Sequence, residues 1–170
     1  MNIRSFRRTP RLPRYNIFYF LTVGAIYRGW ARSASWDTAE GIPWIEQGIR
    51  DFRTTGVVPP LAYYLSLKAE ALHLTDRTSE ALEVIKEAEA TVERFGVRTS
   101  RAELHRLRGV FLTAMGEDQI EIEASFCEAI RIARAQKSIS LGKRAEGTYA
   151  EYQRRKASVS AGRGFRLPLW

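Results

Sequence analysis

The sequence predicts an all-α fold, an α-solenoid of about three helical hairpins closed by a single capping helix, and three observations carry that expectation. A pattern of small and bulky residues returns every 40 positions: Ala69, Ala81, Ile85 and Ala88 stand over Gly29, Gly41, Ile45 and Gly48, and over Gly109, Ile122, Phe126 and Ala129 once one extra residue is admitted in the third copy. Each copy is divided by a short polar connector, at 35–38, 75–79 and 115–119. Gly56 and Gly96 close the first two copies at the same interval. A unit of this length cannot bury its apolar face alone, so neighbouring copies must stack.

The elements follow in order. Residues 1–14 hold Arg4, Arg7, Arg8, Arg11 and Arg14 with Pro10 and Pro13 and no acid, a composition that predicts a disordered basic arm. The repeat body is expected over 15–157. From Ile17 to Ile26 only Thr22 and Gly24 interrupt bulky apolar residues, and a basic start before such a stretch imitates a secretory signal. The stretch runs directly into Tyr27, Gly29 and Trp30 of the first copy, however, and falls short of the roughly 20 residues that cross a bilayer. A buried first helix over 16–34 is the expectation.

The second helix of that copy has Asp37 as N-cap and Glu40 as its capping-box partner. Pro43 follows inside it, and since an interior proline costs about 3 kcal/mol, a late or irregular first turn near Gly41 is expected. Gly56 and the Pro59-Pro60 pair end the first copy, 16–56. The second copy spans 61–96 and the third 100–136, with Gly116-Glu117-Asp118 as its turn. Residues 138–156 align with the first helix of a fourth copy, placing Ala150 at the first small mark, and should cap the stack. A flexible tail is expected over 158–170, with Phe165, Leu167, Leu169 and Trp170 among its basic residues.

The order small, small twelve residues on, bulky four later and small three after that resembles the tetratricopeptide repeat (TPR). The period departs from the usual 34 or so residues, as if the helices were extended at their ends, and Ala25, Leu65 and His105 stand where the usual early aromatic would be. GAIYRGWA, LKAEALHL, ELHRLRGVFL and EASFCEAIRIARAQKS further resemble the C-terminal repeat region of bacterial multidomain proteins that join a nucleotide cyclase or predicted ATPase domain to such repeats. The resemblance covers about 18–150. It implies a signalling ancestry but supplies no catalytic residues, because nothing here corresponds to the cyclase or ATPase domains.

The formal charge of +8 divides unevenly. Of 27 basic residues, five lie in 1–14 and eight in 137–170, where only Glu146 and Glu151 oppose them, leaving 14 basic against 17 acidic residues in 15–136. The body is slightly acidic, and the positive excess sits at the ends. No enzyme is expected. The sole Gly-Lys pair, Gly142-Lys143, has Lys137 where a phosphate-cradling loop needs its first glycine, and no Gly-x-Ser-x-Gly elbow occurs. His73 and His105 lack companions at ligand spacing, so neither metal nor cofactor is expected. Cys127, the single cysteine, excludes an internal disulfide, fits a reducing cytoplasm, and beside Phe126 reads as a buried thiol.

In tetratricopeptide proteins the first helix of each hairpin lines the concave face. The resemblance therefore implies a partner groove of Ile26, Trp30 and Ser33, then Tyr63, Ser66, Glu70 and His73, then Glu103, Arg106, Val110 and Thr113. The subgroup that clamps C-terminal carboxylates uses Lys and Asn at positions held here by Ile26, Trp30, Ser66 and Glu70, so no such clamp is expected. Arg28, Lys68 and Arg108 each precede a small mark. They read either as long side chains whose heads reach water or as a ladder pairing with Glu of neighbouring helices or an acidic partner. The function expected is a non-catalytic, cytoplasmic interaction module for a protein or peptide, without a membrane role. Nucleic-acid binding through the basic ends, or a truncated remnant without a role of its own, are the alternatives.

Overall fold

The computed structural model describes residues 14–35 and 38–160. Among them are seven helices: α1 (Arg14–Ala34), α2 (Thr38–Thr54), α3 (Leu61–His73), α4 (Thr78–Phe95), α5 (Arg101–Met115), α6 (Gln119–Ala135) and α7 (Ile139–Ser160). Helices α1 and α2, α3 and α4, and α5 and α6 form three hairpins, and α7 packs on α5 and α6. The first helices also touch one another in the order α1, α3, α5, α7, whereas no Cα of α2 comes within 8 Å of α4, nor of α4 with α6. The stack is an α-solenoid, with the first helices on the inside of its curve.

A left-handed residue closes a helix at a nearly constant interval: Gly56, Asp76, Gly96, Gly116 and Lys137 all have φ between 54° and 71°. The residue after the last four donates its N–H back across the helix end, Arg77 to Leu72, Val97 to Val92, Glu117 to Leu112 and Ser138 to Ala133, at 2.9–3.1 Å. This bond satisfies carbonyls that a helix end leaves without partners. The 40-residue repeat is thus two half-repeats with the same stop signal.

The small marks are points of closest approach. A Cβ on Gly29 would lie 2.6 Å from the Gly41 carbonyl oxygen, so the backbones of α1 and α2 touch there. Ala69 and Ala81 are fully buried at the same contact between α3 and α4. In the third hairpin Ile122 fills the second mark and Gly109 makes room for the Phe126 ring, 2.8 Å from where its Cβ would be. Ile45, Ile85 and Phe126 are buried, as are Ala88 and Ala129, while Gly48 lies against Ile26 of α1.

Several expectations need correction. The α2 helix is regular from Thr38 through Pro43: the proline sits in the second turn on the exposed side, where the carbonyl it leaves without a donor can meet water. Asp37 lies outside the described residues, and Glu40 pairs with Arg32 of α1 at 3.0 Å. The first helix is buried on one face only, because no described element covers the other; Ile17, Phe20 and Leu21 are 54–66% exposed. Cys127 is exposed rather than buried, since one residue along a helix turns the side chain about 100° away from Phe126. Ala150 is also exposed, having no second helix to meet. Helix α7 continues past the expected end at 156 to Ser160, as no glycine or proline stands between Lys156 and Gly162 to stop it. The rest of the expected arm and tail, 1–13 and 161–170, lies outside the described residues. Among those described, no helix is long and apolar enough to cross a membrane.

Candidate functional site

The inner helices carry a row of polar groups that crosses the whole stack. It begins on α1, where the Trp30 indole Nε1 donates to Glu70 of α3 at 3.0 Å. Glu70 faces Arg106 of α5, whose Nη2 is 3.5 Å from its Oε1. The Arg106 guanidinium also donates to Glu103 through Nε at 3.0 Å and Nη2 at 2.7 Å, a two-pronged pairing that fixes orientation as well as charge. From α7, Arg144 reaches Glu103 at 3.2 Å and Glu70 at 3.9 Å, while Thr148 accepts from Arg106 at 3.5 Å. Four charged side chains, two of each sign, thus share one site.

Their environments differ sharply. Glu103 and Arg106 are 7% and 8% exposed, whereas the Arg144 side chain is 57% exposed and lies over the two carboxylates from outside. Burial, followed by the like charge of Glu103, pushes the Glu70 carboxyl above the usual carboxylate range; Arg106, the Trp30 hydrogen bond and Arg144 pull it down without reversing that. Tyr63, 39% exposed, feels both Glu70 and Arg144, and burial followed by Tyr27 pushes its phenol upward. The Tyr27 and Tyr63 rings lie 6.5 Å apart. An aromatic patch on α1 and α3 therefore borders the ion-pair cluster.

The structure brings together Trp30, Tyr63, Glu70, Glu103 and Arg106 among the residues the sequence singled out, and disperses the others. Ile26 is fully buried in the core, as expected of a side chain lodged against Gly48. Ser33 and Ser66 are 2% exposed and donate to their own helices, at Gly29 and Tyr63. His73 turns toward the hairpin connection, with Nδ1 2.9 Å from Thr78 Oγ1 and its ring 4.9 Å from Phe111. Val110 packs on the core, and Thr113 donates back to Gly109. These six residues have internal partners and do not join the cluster.

Tyr27, Arg144 and Thr148 were missed. Arg144 stands 41 residues after Glu103, the register already used for the fourth copy, so its place on the inner face was legible once that helix was granted one. Its partner was not legible, because opposite charges at equivalent positions meet only when neighbouring helices stack. The Arg28, Lys68 and Arg108 column is paired instead. Lys68 meets Glu46 of α2 at 2.9 Å, Arg108 meets Glu89 of α4 at 3.3 Å, and Arg28, with no described helix before it, lies over Trp44 at 4.6 Å.

No protein-family model matches the chain. It is similar to an uncharacterized protein of Rhizobium meliloti (strain 1021), 31% identical over 126 residues, which are 74% of this chain and only 12% of that protein. Among solved structures it resembles Bacillus thuringiensis PlcR, crystallised with the peptide PapR7 and DNA, with a TM-score of 0.70 and 18% identity over 76% of this chain and 46% of PlcR. The likeness to PlcR is one of fold, a stack of helical hairpins.

Proposed function

We propose that the protein is a non-catalytic interaction module that captures a protein or peptide segment on the inner face of its solenoid. The observation that carries this reading is the continuous row from Trp30 through Glu70, Glu103 and Arg106 to Arg144, bordered by exposed Tyr27 and Tyr63. Polar groups with fixed geometry beside aromatic surface are what a peptide groove requires. The fold shared with PlcR, a protein crystallised with a peptide, supports the same reading. So does the match to a small part of a much longer relative, since repeat modules commonly form one part of a multidomain chain. A tetratricopeptide lineage tied to cyclase or ATPase signalling proteins belongs to this proposal and rests on the repeat pattern alone.

Peptide selection from a displayed library against the full chain tests it. Enriched peptides should lose binding to Tyr63→Ser and Trp30→Ala but keep it to Trp44→Ser, an exposed aromatic on the outer helix α2. Enrichment of no peptide, or indifference to the inner-face changes, would refute it. The basic residues of the two ends favour one competing reading, nucleic-acid binding. That reading requires an affinity falling steeply with salt, with a log–log slope set by the number of phosphates engaged, and largely lost when the arginines of both basic ends are replaced.

A further inference from the structure

The inner-face cluster has an occupant of its own. Arg106 is held by Glu103 in a buried, two-pronged pair, so its orientation belongs to the fold. Arg144 is different: its side chain is largely in solvent, and one guanidinium serves Glu103 at 3.2 Å and Glu70 at 3.9 Å from the rim. An ion pair with one partner largely in solvent is screened from that side, and the long exposed side chain loses rotamer freedom by holding one geometry, so Arg144 is the member of the cluster most easily displaced. Without Arg144 the site would hold two carboxylates against one arginine, beside Trp30, whose indole already donates to Glu70, and beside the Tyr27 and Tyr63 rings. Carboxylates that accept N–H bonds next to open aromatic faces are the surroundings a guanidinium prefers.

We propose that the inner face recognises an arginine side chain of a basic protein segment, and that Arg144 keeps the place of that arginine until the partner arrives. The inference rests on the interaction-module reading and names the chemistry of its partner. Glu103 and Glu70 accept the incoming guanidinium, Tyr63 and Tyr27 cover its plane, and Arg144 swings into solvent on the surface of α7. The three hairpins that hold Glu70 and Glu103, residues 15–136, carry 14 basic against 17 acidic residues and favour the same sign of partner, whereas α7, which brings Arg144, is basic. Arg144 thereby sets a threshold, because a site filled by its own side chain binds more weakly in proportion to the fraction of time it is closed.

The test is fluorescence anisotropy on the full chain with a labelled peptide alternating arginine and leucine, and with its twin carrying citrulline, a neutral analogue of the same shape. The arginine peptide should bind and the citrulline peptide should not. Arg144→Ala should tighten arginine-peptide binding roughly tenfold, and Glu103→Gln should abolish it, with circular dichroism confirming that both variants remain helical. If Glu103→Gln unfolds, the arginine-citrulline difference on the unaltered chain still decides. Equal binding of the two peptides, with both lost on Tyr63→Ser, would overturn the arginine site while leaving the inner face a peptide surface; binding of neither would overturn the site, and the displayed-library selection would judge the wider reading separately. A glutamate-bearing peptide that binds and is lost with Arg144→Ala would make Arg144 the receptor and refute the proposal. Replacing Arg4, Arg7, Arg8 and Arg11 by Ser should leave affinity unchanged; a rise would assign the site to the chain's own basic segment instead.

Discussion

The first and third hairpins solve one packing problem in opposite ways. In the first, Gly29 and Gly41 remove both side chains and the backbones of α1 and α2 meet. In the third, Gly109 removes one side chain only, and the space is filled by the Phe126 ring and by Ile122, both buried. Tyr149 and Tyr152 of α7 then pack on Phe126 with ring centroids 5.6 and 5.7 Å away. What the register conserves is therefore a pair of facing positions whose combined volume suits the spacing between two helices. The third hairpin thereby anchors the capping helix with the ring that also fills its own crossing, whereas the first holds α3 with a different ring, Phe52 against Tyr64 at 4.9 Å.

The largest effect should come from emptying the third hairpin. Phe126→Ala removes a buried ring that touches α5 and α7, and should cost about 3–5 kcal/mol in urea unfolding, with α7 amides losing hydrogen-exchange protection. A loss below that range would mean that α6 and α7 settle into the gap. Next comes the converse change in the first hairpin. Gly41→Leu drives a side chain into the Gly29 backbone and should cost ~1–3 kcal/mol or more, while Glu83→Leu, on the exposed side of α4, should leave the midpoint unchanged. If the two leucines behaved alike, close approach would not be what the small residues provide.

A smaller effect is expected at a helix start. Asp118 accepts from the Ile120 N–H at 3.1 Å, and Asp118→Ala should cost about 1 kcal/mol, read as a lower thermal midpoint. The smallest concerns pH. Burial lowers the pKa of both His73 and His105, outweighing their acidic neighbours. The folded state thus favours neutral imidazole, and this contribution to stability, complete above the ordinary value near 6.5, is lost as pH falls through the lowered ones. Both histidines lie in the second and third hairpins, so acidification from pH 7.5 to 5.5 should weaken hydrogen-exchange protection in α3–α5 more than in α1 and α2. In a chain carrying His73→Gln and His105→Gln that difference should vanish; its persistence would point to the carboxylates instead.

By itself, the sequence determined the helices, their pairing into hairpins and the register of the stack. These follow from local chemistry: small residues where helices cross, left-handed stops at Gly56, Gly96 and Gly116, and apolar residues at helical spacing, all readable along one chain. Equivalent stops at Asp76 and Lys137 carry no glycine, so the half-repeat they mark escaped notice. The sequence also set the inner helices as the place to look, and Trp30, Glu70, Glu103 and Arg106 as residues to weigh. It could not separate them from Ile26, Ser33 and Ser66, because one turn of a helix decides whether a side chain enters the core, bonds its own backbone or crosses to a neighbour. Only the tertiary structure decided that Glu103 and Arg106 are buried as a pair and that Arg144, from a helix read as a mere cap, closes over them. Charge pairing depends on distances of a few ångströms between residues 36 to 74 positions apart, and those distances exist only once the hairpins have stacked.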